Sequence, residues 1–400
     1  MENPKITVII PTRERANVLE SALRTVTSQN YKNLEIIVSD NYSGDGTDKV
    51  VEQAQSKDNR IRYLNTGKRL SMSHNWEFAL SHVQDGWVNF IGDDDGLLPG
   101  AISRIAEIIQ ETRAQAIRTE YCTYDWPGMP EHPQGQLIVP LTVGQEIRDS
   151  KKWLYKVMTG RSQYNQLPMI YNGGFIHISL LQQMKERVGQ FFASVHPDVY
   201  TAVALARLVD EFLYVREPLA ISGTSKFSNG HSAFSTSAAR SKIAYQQFLS
   251  ERNIPFHPDI PTLEDGSIPL SLQACVYEAY LQASSFGDDI VTITHEQQLP
   301  ILLATSGKHR ISIDRWGELF AECHKLNYDQ AQKTANNLRP FLEARLFAQK
   351  LTRVTRSVVT DRLNLQNVYD ASIAAGVIRK MPSKKDSFNF LFKELGAKFN

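Results

Sequence analysis

The chain has 400 residues, of which 42% are hydrophobic, so it is long enough to bury two or three structural units. Its formal net charge of +1 argues against a protein that binds nucleic acid over its whole surface, and its three widely separated cysteines exclude a disulfide framework and a Cys-x-x-Cys zinc site. Without a signal peptide or a run of ~20 apolar residues, we expect it in the cytoplasm, at most peripheral on the inner face of the membrane.

Short apolar runs alternate with amphipathic segments over the first 120 residues. The predicted strands are "KITVII", "LEIIVSD", "RIRYLNT", "GWVNFIG" and "AQAIRTEY". Each is separated from the next by an apolar pattern with helical spacing, as in "ANVLESALRTVTS" and "GAISRIAEIIQET". This alternation predicts an α/β fold, with a mostly parallel sheet and helices on both faces.

Polar side chains follow several of these strands. Thr12 ends the first strand, Asp40 ends the second, and Asp93 to Asp95 follow the fourth in "FIGDDDGLLPG". Because ligands of such sheets bind at the carboxyl ends of the strands, one crevice could hold all five residues. Alone, the acidic triplet also fits an ordinary solvated turn.

The second half of the chain is less regular. Residues 122–170 are rich in Pro, Gly and aromatic residues, and a Ser/Gly-dense stretch, "SGTSKFSNGHSAFSTSA", is long enough for a lid. Beyond Ala238 the pattern is helical. We therefore predict one domain over residues 1–237, with halves at about 1–120 and 121–237, and a mainly α-helical region over 238–400.

Four motifs occur in a fixed order in the first 230 residues. They are "ITVIIPTRER", "LEIIVSDNYSGDGT", "NTGKRLSMSHNWEFAL" and "VNFIGDDDGLLPGAI". In this order they resemble the family-2 glycosyltransferases of the GT-A fold, inverting enzymes that use a nucleotide sugar and usually Mg²⁺ or Mn²⁺. The resemblance implies a Rossmann-like mixed sheet and a nucleotide-sugar donor, with a UDP-sugar as the family's habit.

The resemblance also assigns residues to the donor. It implies nucleotide and diphosphate contacts by the following side chains or backbones: Pro11, Thr12, Glu14, Asp40, Arg69, Asn75, Asp93 and Asp94. Asp94 and Asp95 are the implied metal ligands, since a divalent cation that bridges two phosphates prefers hard oxygen ligands. Arg15 and Arg62 are further diphosphate candidates, and an ordinary surface arginine is the alternative for both of them and for Arg69. Gly92 stands where many relatives have the first Asp, which leaves open whether Asp93 takes that role.

Inverting transfer also needs a base for the acceptor hydroxyl. The family places an acid at the start of a helix in the second half of the domain, which implies Asp198 in "VHPDVYTAVALA", with His196 as the competing base. Asn172 to Gly174 could allow close approach to the donor sugar or form a tight turn. His231 in the Ser/Gly stretch could close onto the diphosphate or face solvent.

The C-terminal tail is basic. From Arg339 to the end there are 12 Lys/Arg against 5 Asp/Glu, which gives +7. Apolar residues of Phe341–Val358 fall on one helical face, opposite Arg345, Lys350, Arg353 and Arg356. Together with Lys384, Lys385 and the phenylalanines after them, this tail suits an anionic membrane surface, the packed side of a helical bundle or a homo-oligomer contact.

The resemblance thus implies transfer of single sugars to a glycan or lipid-linked glycan, since no Gln-x-x-Arg-Trp motif of processive synthases is present. Two alternatives stay open. A Mg²⁺-dependent nucleotidyltransferase also uses an acidic cluster on an α/β sheet, and a non-catalytic nucleotide-sugar-binding scaffold would tolerate Gly92.

Overall fold

The computed structural model describes residues 3–226, 250–251, 253–269, 271–286, 292–306, 310–352 and 354–381. Within these ranges the strands are β1 (Ile6–Thr12), β2 (Leu34–Asp40), β3 (Ile61–Asn65), β4 (Trp87–Phe90), β5 (Gly96–Leu97), β6 (Ala116–Asp125), β7 (Gln136–Pro140), β8 (Gln145–Asp149), β9 (Gly174–His177), β10 (Glu211–Thr224) and β11 (Thr355–Val359). The helices are α1 (Ala16–Thr27), α2 (Thr47–Gln55), α3 (Met72–Leu80), α4 (Ala101–Glu111), α5 (Ser150–Met158), α6 (Ile178–Val188), α7 (Pro197–Leu208), α8 (Leu272–Gln282), α9 (His295–Ala304), α10 (Arg310–Cys323), α11 (Tyr328–Thr352) and α12 (Val368–Lys380).

A mixed, mostly parallel sheet forms the centre of the molecule. Strands β4, β1, β2 and β3 are parallel neighbours in that order, and β6 runs parallel to β10. Strand β9 lies antiparallel between β4 and β6. The predicted α/β architecture is confirmed, and the antiparallel β9 brings the second half of the domain beside β4.

Strand β1 shows why the first apolar run is continuous. Ile9 packs into the hydrophobic core on one face of the sheet, whereas Val8 and Ile10 pack into the core on the other face, and all three are fully buried. A strand covered by helices on both faces has no solvent side, so its sequence does not alternate.

The C-terminal region is mainly helical, as predicted, with one difference. The expected helix over Phe341–Val358 ends at Thr352, and Thr355–Val359 instead form β11, which pairs antiparallel with β7. The prediction was wrong here because the run "TRSVV" is rich in β-branched residues and β7 offers it a free edge. Lys384, Lys385 and the rest of the tail lie outside the described residues.

The helical region shares a core with the second half of the domain. Ala274 and Tyr277 of α8 belong to the same buried cluster as Val199 and Val203 of α7. The predicted boundary near residue 237 lies outside the described residues and stays a prediction. Among the described helices, none is both long and apolar enough to cross a membrane.

A buried carboxyl group joins the two regions. Glu278 of α8 is 0% exposed, and it accepts hydrogen bonds from Ser194 Oγ at 2.5 Å, Gln282 Nε2 at 2.8 Å and the His257 amide at 3.4 Å. Burial raises the pKa of Glu278 above its ordinary value, and these donors only partly offset the effect.

This raised pKa predicts a pH-dependent stability. Because the folded chain holds the proton more tightly than the unfolded chain, the contribution of Glu278 is fully present below the unfolded pKa of about 4.3 and is lost as pH rises through the folded pKa. Glu278→Gln removes the titration, and the Ser194 hydroxyl can turn to accept from the new amide. We expect the variant to melt roughly 2 °C above the wild type at pH 8, with a smaller gain at pH 5.

Thermal unfolding at the two pH values measures this effect. Glu343→Gln, at an exposed position of α11, is the matched control and should leave the difference between pH 5 and pH 8 unchanged. A gain for Glu278→Gln of the same size at both pH values would contradict the role of the buried charge.

Candidate active site

The carboxyl ends of β1, β2 and β4 meet at one edge of the sheet. Thr12 pairs with Asp40 in the parallel register of β1 and β2, and Ile9 pairs with Phe90 at the end of β4. Asp93 to Asp95 follow directly after β4 and are between 1% and 5% exposed. The structure therefore brings together the strand-end residues expected to share a crevice, and the acidic turn is buried rather than solvated.

Asp93 connects this turn to the first strand. Its carboxylate accepts a hydrogen bond from Thr12 Oγ1 at 2.8 Å and forms an ion pair with Arg15 Nη1 at 2.8 Å. Burial opposes the charge of Arg15, but the neighbouring Asp93 and Asp94 outweigh it and raise the pKa of the guanidinium. Arg15 thus stays charged and balances one of the three acids.

Asp95 is held by three neutral donors. It accepts from the Gly92 amide at 2.8 Å, the Gly223 amide at 2.7 Å and Tyr171 Oη at 2.5 Å. Burial first, and then the charge of Asp94, raise the pKa of Asp95 to about 7. Its carboxylate fixes the acidic turn against both β10 and the loop that carries Tyr171.

The same contacts explain Gly92. A Cβ at this position would lie 2.7 Å from Asp95 Oδ2 and 3.0 Å from Tyr171 Oη. This turn has no room for a side chain at position 92, so an aspartate there would require a different arrangement of Asp95 and Tyr171.

Asp94 lies between these two anchored acids. Its Oδ2 accepts from Ser225 Oγ at 2.6 Å, and its main-chain oxygen accepts from Trp126 Nε1 at 3.4 Å. Gly223 approaches so closely that a Cβ there would lie 1.8 Å from the Asp94 oxygen. The carboxylate is therefore positioned by the end of β10 as well as by β4.

Asp40 and Asn75 are both buried at the end of β2. Asp40 accepts from the Ser43 amide at 3.0 Å, Tyr63 Oη at 2.6 Å and Asn65 Nδ2 at 3.2 Å. The side-chain oxygen Oδ1 of Asn75 accepts a hydrogen bond from Ser39 Oγ at 2.8 Å, so in this structure Asn75 braces β2. Their predicted nucleotide contacts are not tested by these bonds and stay predictions.

The loops after β1 and β3 carry the other predicted donor residues. Pro11 is half-buried next to Thr12, and the exposed Glu14 accepts from the Gly44 amide at 3.0 Å. Arg69 forms an ion pair with Glu251 at 3.0 Å, and Arg13 shares the same carboxylate oxygen at 2.9 Å. These two guanidiniums lie together on one carboxylate.

Arg62 agrees with the alternative of an ordinary surface arginine. It pairs in register with Ile37, three residues before Asp40, and its guanidinium lies 3.8 Å from Glu35 near the start of β2. Its side chain therefore points to the opposite end of the strand from the acidic turn.

Asp198 lies in the first turn of α7, where Pro197 begins the helix. Its Oδ2 accepts from Tyr164 Oη at 2.8 Å. Burial and the Asp198 charge raise the pKa of Tyr164 well above its usual range, so this phenol stays a donor. Burial lowers the pKa of the preceding His196, which favours a neutral imidazole.

Tyr171 donates to Asp95 of the acidic turn at 2.5 Å. Burial, then the charges of Asp95 and Asp94, the hydrogen bond to Asp95 and last the charge of Asp198 raise the pKa of Tyr171, so this phenol stays a donor.

A buried arginine fixes the segment that carries both tyrosines. Arg118 is 1% exposed and donates to the main-chain oxygens of Asn165 at 2.7 Å, Tyr171 at 3.0 Å and Asn172 at 2.6 Å. Asn172 to Gly174 form a tight turn here, with Asn172 at φ 43° and no space for a Cβ on Gly174, where one would lie 1.6 Å from the Met169 oxygen. One guanidinium thereby positions the partners of Asp95 and Asp198.

Sequence reasoning missed four residues of this site, namely Tyr164, Tyr171, Arg118 and Ser225. Two of them had a signal in the sequence. Arg118 is a basic residue within the predicted strand "AIRTEY", and Tyr171 directly precedes the Asn-Gly-Gly turn. His231 lies outside the described residues. Within the described ranges, no group of three or more His, Cys, Asp or Glu side chains is arranged to hold a metal ion.

The mixed, mostly parallel sheet with polar residues at its strand ends agrees with the GT-A type of fold expected from the sequence. Residues 7–173, which are less than half of the chain, match the model of "Glycosyl transferase family 2".

Curated relatives match over part of the chain. The GalNAc(5)-diNAcBac-PP-undecaprenol beta-1,3-glucosyltransferase of Campylobacter jejuni is 40% identical over 109 residues, which are 27% of this chain and 35% of that protein. The putative teichuronic acid biosynthesis glycosyltransferase TuaG of Bacillus subtilis is 25% identical over 168 residues, which are 42% of this chain and 66% of TuaG. The matched part thus spans about a third of the first relative.

The solved structure of S. aureus TarS 1–349 in complex with UDP-GlcNAc is similar at 13% identity and a TM-score of 0.49, over 84% of this chain and 92% of that one.

Proposed function

We propose that the chain moves one sugar at a time from a nucleotide-diphosphate sugar to a hydroxyl of a glycan or lipid-linked glycan, with inversion at the anomeric carbon. The observation that carries the proposal is the buried turn Asp93 to Asp95 at the strand ends, together with Asp198 in the first turn of α7, where it accepts from Tyr164. The C. jejuni relative, by its name a glucosyltransferase on an undecaprenol-diphosphate-linked glycan, supports a lipid-linked acceptor.

The donor nucleotide fits along the ends of β1 and β2. Thr12 and Asp40 are register partners there, with Pro11, Glu14 and Asn75 around them. A uridine donor is a proposal from the family's habit alone. Arg69 and Arg13 can donate hydrogen bonds to the diphosphate once their ion pairs with Glu251 are broken.

The acidic turn fits a divalent cation, Mn²⁺ or Mg²⁺, by charge and by ligand type. Three carboxyl groups lie in a buried turn in which Arg15 balances Asp93, and all offer hard oxygens. Mg²⁺ is usually held by one or two carboxylates together with substrate phosphates rather than by a cage of protein ligands. Asp94 is the ligand that we assign first, and Asp95, which already accepts three hydrogen bonds, stays a predicted second ligand.

Residues of the chain would divide the reaction between them. The cation, when bound, would stabilise the charge that develops on the departing diphosphate. Asp198 would take the proton of the attacking hydroxyl, and Tyr164 would orient its carboxylate by the 2.8 Å hydrogen bond. Arg118 is a positioning residue, because it binds the main-chain oxygens of Tyr171 and of Asn165, the residue after Tyr164.

The released product tests this proposal against the two alternatives. The purified chain is incubated with UDP-, GDP- and TDP-sugars, Mn²⁺ and a lipid-linked glycan extract, and the nucleotides are separated by anion-exchange chromatography. We expect a nucleoside diphosphate from one donor class. Pyrophosphate release in a parallel incubation with nucleoside triphosphates and sugar 1-phosphates would instead indicate a nucleotidyltransferase, and specific donor binding without turnover in either incubation would indicate a scaffold.

A further inference from the structure

Helix α11 turns an apolar side away from the protein. Phe341 and Phe347 are 55% and 62% exposed, and Ala344 and Ala348 on the same stretch of the helix are exposed as well. The buried side of the helix is a different one, on which Leu342 packs against Gly160. Within the described residues, the apolar stripe predicted from the sequence is therefore not buried by packing against other helices.

Helix α5 supplies cations beside this stripe. Its sequence, SKKWLYKVM, contains no acid, and Lys151, Lys152 and Tyr155 are exposed. Lys151 lies 3.7 Å from Asp210, so part of its charge is balanced. Lys152 and Tyr155 present one charge and one aromatic ring to solvent.

The two helices form one surface. Arg345 Nε and Gln349 Nε2 donate to the main-chain oxygen of Arg161 at 3.3 and 3.1 Å, and the Arg161 guanidinium lies 6.0 Å from the Tyr155 ring centre. Burial and then the charges of Lys152, Arg148 and Arg345 lower the pKa of Lys156, as expected where cations crowd. Glu343 is an exposed acid on the same stretch of α11.

We define the α5–α11 face as Lys152, Tyr155, Lys156 and Arg161 with Phe341, Arg345 and Phe347. We propose that this face docks onto an anionic lipid surface, with the aromatic rings entering the headgroup region and the cations binding lipid phosphates. Only the purpose of docking, access to a lipid-linked acceptor, rests on the proposed function.

The positive charge of the α5–α11 face favours an anionic membrane over a second copy of the chain as its binding partner. In a two-fold dimer through this face, each patch would meet itself, so cations would lie opposite cations. Exposed aromatic rings next to lysine and arginine suit a phosphate-rich lipid interface instead. There the rings bury apolar surface and the cations bind phosphates.

Vesicle flotation of the full chain, without nucleotide or acceptor, tests the docking. We expect binding to phosphatidylglycerol-containing vesicles that weakens with salt, and little binding to phosphatidylcholine alone. We expect two double variants to bind at least about tenfold more weakly. Phe341→Ser/Phe347→Ser loses apolar area that would enter the headgroup region. Lys152→Glu/Arg161→Glu loses two surface cations, each of which contributes about 1 kcal/mol. The charge-matched control Lys49→Glu/Lys57→Glu, at exposed positions at and just after α2, should stay within about twofold of the wild type.

Three results would overturn the proposal. The first is that both face variants bind vesicles as tightly as the wild type does. The second is that vesicle binding is lost only in Lys384→Glu/Lys385→Glu of the tail. The third is a dimer in solution that Phe341→Ser/Phe347→Ser dissociates, with no vesicle binding by the wild type. Sugar turnover is measured separately, so vesicle binding without turnover would refute the proposed function and leave the docking face standing.

Discussion

Asp94→Asn is expected to lower kcat/KM for sugar transfer by about a thousandfold or more. The substitution keeps the shape of the side chain and an oxygen for the 2.6 Å hydrogen bond from Ser225, so the acidic turn should keep its geometry. It removes the negative charge that we assign to the cation, and loss of a group that stabilises developing charge costs about 10² to 10³ in rate even for a single neutral donor. The fold should survive, because the change is isosteric.

The measurement is donor turnover with Mn²⁺ varied from limiting to saturating concentration. The variant should require a much higher Mn²⁺ concentration for half-maximal activity, whereas its thermal unfolding without metal stays close to that of the wild type. Asp85→Asn is the matched control. Asp85 precedes β4 at the opposite end of that strand and loses only an exposed ion pair with Lys5, so its activity should not change. Wild-type turnover by Asp94→Asn would refute the metal assignment.

The strand-end residues were predictable from the sequence because the signals are local. A continuous apolar run predicts a strand buried on both faces, and the residue at its end is then placed at the edge where parallel strands meet. Thr12, Asp40 and Asp93 to Asp95 were placed correctly in this way. For Arg62 the sequence left a diphosphate contact and a surface position both open, because a position within a strand does not tell which end of the sheet a long side chain reaches.

The remaining parts of the site depend on pairing between distant segments. Tyr171 reaches Asp95 only because β9 enters the sheet antiparallel next to β4, and Ser225 reaches Asp94 only because β10 runs on past β5. Neither strand pairing can be read from a local periodic pattern in the sequence, because each joins segments that are far apart along the chain. The same limit explains the end of α11, since the apolar spacing of a helix continues into Val354 and Val358 whereas the open edge of β7 recruits this segment as β11.

Asp198→Asn is expected to abolish transfer while leaving donor binding intact. The carboxylate lies in the first turn of α7 and accepts from Tyr164, and asparagine keeps an acceptor for that bond but has no basic oxygen for the proton of the attacking hydroxyl. General-base catalysis contributes typically 10² to 10⁴ in rate, so we expect a loss of about that size in kcat with the Kd for the nucleotide sugar within a factor of about two. A loss in both quantities would indicate a structural role instead.

Two further variants separate the base from its neighbours. Tyr164→Phe removes the phenol that orients Asp198, and a smaller fall in kcat, about tenfold, is expected because the base itself remains. His196→Gln tests the competing base, whose lowered pKa keeps it neutral and thus able to accept a proton. If transfer survives in Asp198→Asn and disappears in His196→Gln, with donor binding retained in both, then the imidazole is the base and the assignment of Asp198 is wrong.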